Sequence, residues 1–262
     1  MKHVGLNVAA DALLTLAYVG VKGGLVVVSA DDPSMHSSQN EQDNRYYAQL
    51  AGLPMLEPAN SQEALEMTRA AFELSEAYKI PVLLRTTTRI NHSRTPVEVG
   101  LLQPPRRSGA FKKDPFNLVT VPMVGRRLRV ELLEKINKLG SEASASPFNR
   151  VEGKGDWGVV TSGVSYNYVA DAVRELDMAD RVRVLKMGMT YPFADEICLD
   201  FLKGVERVLV VEELEPFLED KLKILAQENG LSLEIRGKGE GLLPRYYEFD
   251  PVQVKSAIAR FF

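Results

Sequence analysis

Short, unbroken apolar runs alternate with longer amphipathic stretches along this chain. That is the pattern of parallel strands buried on both faces between covering helices. Gly24-Leu-Val-Val-Val28 reads as a buried strand, preceded by an almost wholly apolar helix over residues 7–19 that Asn7 caps. A helix that apolar is expected to be buried on most of its sides. Residues 41–51 suit a short helix. Asn60 and Glu63 fit a capping box opening a helix to about residue 79, with Leu65, Thr68, Ala71, Phe72, Ser75 and Tyr78 along one side. Residues 81–84 form a second short strand, ending in the polar run Arg85-Thr-Thr-Thr-Arg-Ile-Asn-His-Ser-Arg94.

Between residues 98 and 155 the pattern lapses. Pro104–Arg107, Phe111–Phe116 and Ser141–Pro147 are loop-like, and a single helix over about 126–139 interrupts them. Phe111, Phe116, Val119, Val121 and Phe148 are too apolar for disorder, so this linker should pack on something. The alternation then resumes, with strands at 157–160, 182–185, 207–211 and 231–235. Helices follow at 165–176, 194–203 and after Pro216, which suits the first helical position. Residues 251–262 form a last helix, whose apolar end at Ile258, Phe261 and Phe262 suggests a continuation or a docked partner. Strands and helices alternating through short connections predict an α/β fold with parallel sheets and right-handed crossovers.

Composition narrows the function classes. With 262 residues and a net charge of −3, nothing points to nucleic acid or an anionic membrane surface. No apolar run approaches a membrane span, and no signal peptide is recognisable, so a cytoplasmic setting is expected. The one cysteine, Cys198, excludes an intrachain disulfide framework and any cysteine-ligated zinc or iron–sulfur site built by this chain alone.

The densest polar stretch, Asp31-Asp-Pro-Ser-Met-His-Ser-Ser-Gln-Asn-Glu-Gln-Asp-Asn-Arg45, follows the first strand directly. Ligands in open α/β sheets bind beyond the carboxyl ends of strands. Turn chemistry accounts for Asp31, Asp32 and Pro33, but not for His36, Ser37, Ser38, Gln39 and Asn40 in succession. The three histidines, His3, His36 and His92, all precede residue 98 and stand in polar surroundings. An imidazole there suits proton transfer or a bond to a carboxylate. Capping a turn is the plainer role for any one of them, and function is favoured for His36. Ser37 beside His36 lacks the glycine-flanked elbow of a hydrolase. Arg45, Arg85, Arg89 and Arg94 could each fork onto a carboxylate or phosphate. Thr161-Ser-Gly163 suits an ordinary turn into a helix, and the acids of Glu212-Glu-Leu-Glu215 suit a helix N-terminus.

These motifs, with Met1-Lys-His-Val-Gly-Leu-Asn7, Leu53-Pro-Met-Leu-Glu-Pro58, Ser146-Pro-Phe-Asn-Arg150, Thr161-Ser-Gly-Val-Ser-Tyr-Asn-Tyr168 and Val211-Glu-Glu-Leu-Glu-Pro-Phe-Leu218, closely resemble the indolepyruvate:ferredoxin oxidoreductase α-subunit family. The resemblance spans nearly the whole chain. It implies a thiamine-diphosphate enzyme of the 2-oxoacid:ferredoxin oxidoreductase superfamily. Such an enzyme decarboxylates an aryl pyruvate, passes electrons through 4Fe-4S clusters to ferredoxin and hands the acyl group to coenzyme A.

By the same resemblance, residues 1–97 are the latter part of a pyrimidine-binding domain and 98–155 a linker with one helix. Residues 156–243 are a transketolase-C-like domain, and 244–262 a helical tail. His3 to Asn7 matches the loop near thiamine and substrate, and His36 to Arg45 the loop lining the substrate pocket. The expected pocket residues are therefore His3, Asn7, His36, Ser37, Ser38, Gln39 and Arg45, with Arg45 a candidate carboxylate partner. No catalytic residue and no metal ligand is assigned. The family's activating glutamate and its Gly-Asp-Gly magnesium motif find no counterpart, since Gly155-Asp-Trp does not match, and the ferredoxin-like cysteines are missing. The chain thus resembles an internal piece, inactive by itself and completed by the missing α-subunit domains and a β subunit, which supply magnesium and the clusters. Two alternatives remain: a non-catalytic assembly module, and a relative acting on another 2-oxoacid.

Overall fold

Two sheets organise the chain in the computed structural model, which describes residues 1–101, 109–238 and 241–262. The loop expected at 104–107, and Gly239 and Glu240, lie outside the described residues. In the first sheet, β1 (Val26–Asp31), β3 (Val82–Thr87) and β2 (Met55–Leu56) run parallel, and β7 (Met189–Tyr191) adds antiparallel to β2. In the second, β6 (Val182–Met187), β5 (Trp157–Ser162), β8 (Arg207–Val211) and β9 (Glu234–Arg236) run parallel, with β4 (Asn149–Glu152) antiparallel at one edge.

The apolar runs of β3, β5 and β8 take both faces into cores, as continuous hydrophobic strands must, whereas β1, expected to be buried, is an edge strand with Val28 exposed and Val26 and Val27 half-buried. Val208 and Val210 enter a core that reaches across to the first sheet, and Leu209 and Val211 a second one. α8 (Ser165–Glu175) and α11 (Pro251–Phe261) cover that second face. Ile258 and Phe261 are buried there, and Phe262 stacks on Trp157 at 5.2 Å between centroids. The apolar tail thus docks on its own sheet, where a continuation or a docked partner had been expected. α9 (Asp195–Lys203) and α10 (Phe217–Glu228) cover the other face, with Cys198 fully buried.

Local chemistry explains several departures from the expected elements. The apolar helix is two helices, α1 (His3–Val8) and α2 (Ala10–Val19), separated at Ala9. It starts earlier than expected because Met1 and Lys2 are drawn onto β1: the Ala30 amide donates to Met1 O at 2.8 Å. Asn7 therefore lies inside α1 and caps nothing; its Oδ1 accepts from the Tyr47 hydroxyl at 2.7 Å. Only Leu13 and Ala17 of α2 are buried, so its burial is one-sided. The polar loop runs on to residue 44, and the short helix is α3 (Arg45–Ala51).

Asn60 caps α4 (Ser61–Tyr78), accepting from the Glu63 amide at 2.9 Å. Glu63 reaches back one residue further than a standard capping box, accepting from the Ala59 amide at 2.8 Å. Its other oxygen pairs with the fully buried Lys186, tying α4 to the second sheet. Pro216 is the cap of α10 and not its first residue. Glu212 closes that helix by accepting from the Leu218 and Glu219 amides at 3.0 Å.

Residues 98–155 hold α6 (Pro115–Leu118), α7 (Pro122–Ala143) and β4. α7 buries Leu128, Leu132, Ile136, Leu139 and Ala143 at helical spacing and packs on α2 and α9. Phe111, Phe116, Val119 and Val121, expected to pack, are exposed on this chain; Phe148 packs against the core. Gly155 has a structural reason: a side chain there would place Cβ 1.6 Å from Arg181 O. No described helix is long and apolar enough to cross a membrane.

Candidate functional site

β1 and β3 are neighbours in register, Asp31 against Thr87, so the polar stretches that follow them emerge side by side. α5 (Thr88–His92) begins where β3 ends. Asp32 folds the β1 loop around itself. It accepts from the His36 and Ser37 amides at 3.0 Å, from Ser38 Oγ at 2.8 Å and from Thr88 Oγ1 at 3.2 Å. Lys2 Nζ lies 3.0 Å from it and donates to Ser37 O and Oγ at 2.6 and 2.7 Å. Burial opposes charge on this carboxyl, but the bonds from Ser37, Ser38, Lys2 and His36 outweigh it and hold the group well below the usual range.

A cleft of about 310 Å³ opens between this loop and α5, lined among others by Lys2, Asp32, His36, Ser37, Thr88 and His92. Against His36, which lines it, the segment after β9 returns. The Glu248 carboxylate receives His36 Nε2 at 3.1 Å and Arg89 Nε at 2.9 Å, while the Glu248 amide donates to Ser34 Oγ at 3.0 Å. An imidazole and a guanidinium thus converge on one carboxylate beside an open cleft.

Of the residues expected to line the pocket, His36 and Ser37 face the cleft, Ser38 anchors the loop through Asp32, and Gln39 is exposed. His3 lies fully buried beneath, its Nε2 3.0 Å from Asn40 O and its Nδ1 3.7 Å from Asp31 Oδ1 without a hydrogen bond. Asn7 stands apart with Tyr47.

Arg45, expected as a candidate carboxylate partner, is turned wholly inward. Its Nε donates to Asp43 at 2.8 Å, Nη1 to Glu212, and Nη2 to the carbonyls of Glu213 and Glu215 at 2.8 and 2.9 Å. Arg85 is buried beside it, bridging Asp31 and Glu57 at 2.7 Å each, and Glu57 also accepts from Thr190 Oγ1 at 2.7 Å. The two arginines bind the strand ends of both sheets together, and their guanidinium groups already hold internal carboxylates. Burial pushes the Asp31 and Glu212 carboxyls up against the pull of these cations, and Glu213 up to about 7. The acids of the 212–215 turn do serve the following helix, and Glu212 serves Arg45 as well.

No family model matches the chain. The indolepyruvate oxidoreductase subunit IorA of Methanothermobacter marburgensis is 50% identical to it over 262 residues, 99% of the chain. From end to end, the chain is similar to part of an IorA subunit. It spans 42% of that relative's length. Among solved structures, the 2-oxoglutarate:ferredoxin oxidoreductase from Magnetococcus marinus aligns over 99% of this chain and 52% of its own, with a TM-score of 0.66 at 14% identity. A split-gene transketolase aligns over 90% of this chain and 65% of its own, with a TM-score of 0.51 at 16% identity. At such identities the likeness speaks of fold, and it is the α/β fold expected from the sequence. The resemblance read from the motifs thus stands on independent relatives as well.

Sequence reasoning passed over Glu41 and Glu248, and named Arg89 only as one of four arginines able to fork onto a carboxylate or phosphate. Arg89 had a signal, since it follows a strand as His36 does. Glu248 had none, because 212 residues separate it from its imidazole partner. Among the described residues no three carboxylate, imidazole or thiol groups converge as a metal site.

Proposed function

We propose that this chain supplies a wall of the substrate pocket in an oxidoreductase that oxidatively decarboxylates aryl pyruvates such as indolepyruvate to aryl-acetyl-CoA. Ferredoxin is the electron acceptor. The reading assigns the open cleft beside the His36–Ser37 string to the keto-acid. The observation that carries it is the pairing of His36 and Arg89 on one carboxylate beside that cleft, in a chain half identical to part of an IorA subunit. A 2-oxoacid presents the same anionic group, and forked guanidinium donation suits it. Thiamine diphosphate, when bound, supplies the electron sink for decarboxylation. Since the family's Gly-Asp-Gly magnesium motif has no counterpart in the sequence, its metal–diphosphate end falls on this reading to the remaining α-subunit domains. The iron–sulfur clusters and the β subunit lie outside this chain on the same reading. Within the chain, Asp32 and Lys2 hold the loop, His36 and Ser37 present donors, and Arg45 and Arg85 fix the strand ends beneath.

Exposed Phe111, Phe116 and Met123 favour a second reading, an assembly module without a role in turnover. One experiment separates the two. The chain replaces its counterpart in Methanothermobacter marburgensis IorA, and the chimera, assembled with its companion subunit, is assayed for viologen reduction. Turnover of indolepyruvate that depends on His36 supports the pocket reading. Turnover indifferent to His36, Ser37 and Arg89 together supports the module. A preference for pyruvate over indolepyruvate would point to a different 2-oxoacid.

A further inference from the structure

The other side of the 33–43 loop borders a second cavity, of about 320 Å³. That size is near the lower end for small-molecule sites. Tyr46, Tyr246, Tyr247, Met35, Pro33 and Leu214 supply aromatic and apolar walls. Three of them, Met35, Leu214 and Tyr247, hold positive φ angles of 53°, 64° and 64°. Among the described residues, the two other non-glycine residues with positive φ, Lys79 and Asp177, sit just past helix ends. Left-handed backbone at bulky residues is costly and gathers at functional sites.

The charged groups of this cavity other than Glu41 are spoken for. Arg245 pairs with Glu215, its Nε at 2.9 Å from Oε2, and Asp43 is engaged by Arg45. Glu41 differs. Its Oε1 accepts from the Gln42 amide at 2.9 Å, while its Oε2 is buried with no hydrogen-bond partner. An orphaned buried acceptor in an aromatic cavity calls for a ligand that brings one donor.

We propose that this cavity binds an indole-like ring, with the ring N–H donating to Glu41 Oε2 and the faces lying against the tyrosines. The cavity shares no lining residue with the keto-acid cleft, so the inference concerns a second, aromatic ligand and stands apart from the aryl-pyruvate reading. Burial, with the negative charge of Asp31 beside it, pushes the Glu41 carboxyl up to about 8, an opposition to charge that a donated ring N–H would relieve. Adenine suits the cavity less. Its ring nitrogens need donors, and the guanidinium that could supply them is held by Glu215.

The test is calorimetric titration of the 262-residue chain with indole, with indene, which has the same shape without the N–H, and with adenosine. Indole is expected to bind about threefold to tenfold tighter than indene, the range of one hydrogen bond. Glu41→Met should erase that difference, Glu41→Gln, which keeps an acceptor, should retain it, and Tyr46→Ala should weaken both ligands. A second measurement needs no variant: saturation transfer from the Met35 methyl group to bound indole protons in the unaltered chain. Absence of saturable indole binding, indene binding as tightly as indole, adenosine binding more tightly, discrimination surviving in Glu41→Met, or no transfer from Met35 would each overturn the proposal. Turnover by the chimera is read separately. Activity without indole binding here would sink this inference alone, and indole binding without turnover would sink the functional reading alone.

Discussion

Replacing Arg45 with methionine removes the cation that holds two buried carboxylates from opposite sheets. Arg45 is 1% exposed and donates to Asp43, Glu212 and the carbonyls of Glu213 and Glu215. Methionine fills much of the volume, so the cost is electrostatic and not a cavity. Glu212 keeps the Leu218 and Glu219 amides, but Asp43 keeps only the backbone amide of residue 45, at 3.1 Å, and Arg85, at 3.9 Å. Breaking a buried pair from one side costs about 3–5 kcal/mol. That is a large share of the roughly 5–15 kcal/mol available to a typical domain, and lowers the folding equilibrium constant by about two to three and a half decades. Urea denaturation at neutral pH reads this directly. Adding Glu212→Gln to Arg45→Met should recover part of the loss, because one stranded charge is gone. If Arg45→Met unfolds within about 0.5 kcal/mol of the parent, the range of ordinary surface changes, Arg45 is not the tie between the sheets and its role as a substrate donor reopens.

Asp32→Asn should loosen the loop, at a cost of about 1–3 kcal/mol for bonds made to a charged group; faster amide exchange at His36 and Ser37 would show it, and unchanged exchange would count against the anchor. Because the Asp32 carboxyl is held low in the fold, its contribution is present above the ordinary value of 3.8 and fades as pH falls below it, and the asparagine variant should lack that acid-side loss. Glu41 carries the opposite sign. Its carboxyl is raised from 4.5 to about 8, so the fold binds a proton that the unfolded chain has released, and stability declines as pH climbs through that window. Glu41→Gln should flatten the decline in urea midpoints measured across it. The purified chain given thiamine diphosphate, magnesium, indolepyruvate and a viologen should leave the dye oxidised, and any turnover by it would show that the missing domains are dispensable.

The fold was legible where apolar runs made strands and a cap made a boundary: Arg207–Val211 and the Asn60 cap come straight from the pattern. It was less legible where distant residues decide local structure. Asn7 looks like a cap until Met1 and Lys2 pair with β1 and carry the helix start past it. β7 is too short to announce itself, and its pairing with β2 is a tertiary event. At the site, the density of polar residues marked the loop and the strand-end rule marked its place. The division of labour within it was hidden. Arg45 and His36 are both polar residues of one motif, yet one is buried among internal carboxylates and the other sits at a cleft. Only the arrival of Glu212 and Glu248 from the far end of the chain separates them.

The central claim is that the His36–Ser37 string walls a keto-acid site, and steady-state kinetics of the IorA chimera test it most directly. With indolepyruvate, the account predicts dye reduction by the chimera, and a drop in kcat/KM of about tenfold or more when His36→Ala and Ser37→Ala are combined, the loss expected for donors to a charged group. An assembled, folded chimera whose kcat/KM is untouched by that double substitution would contradict it.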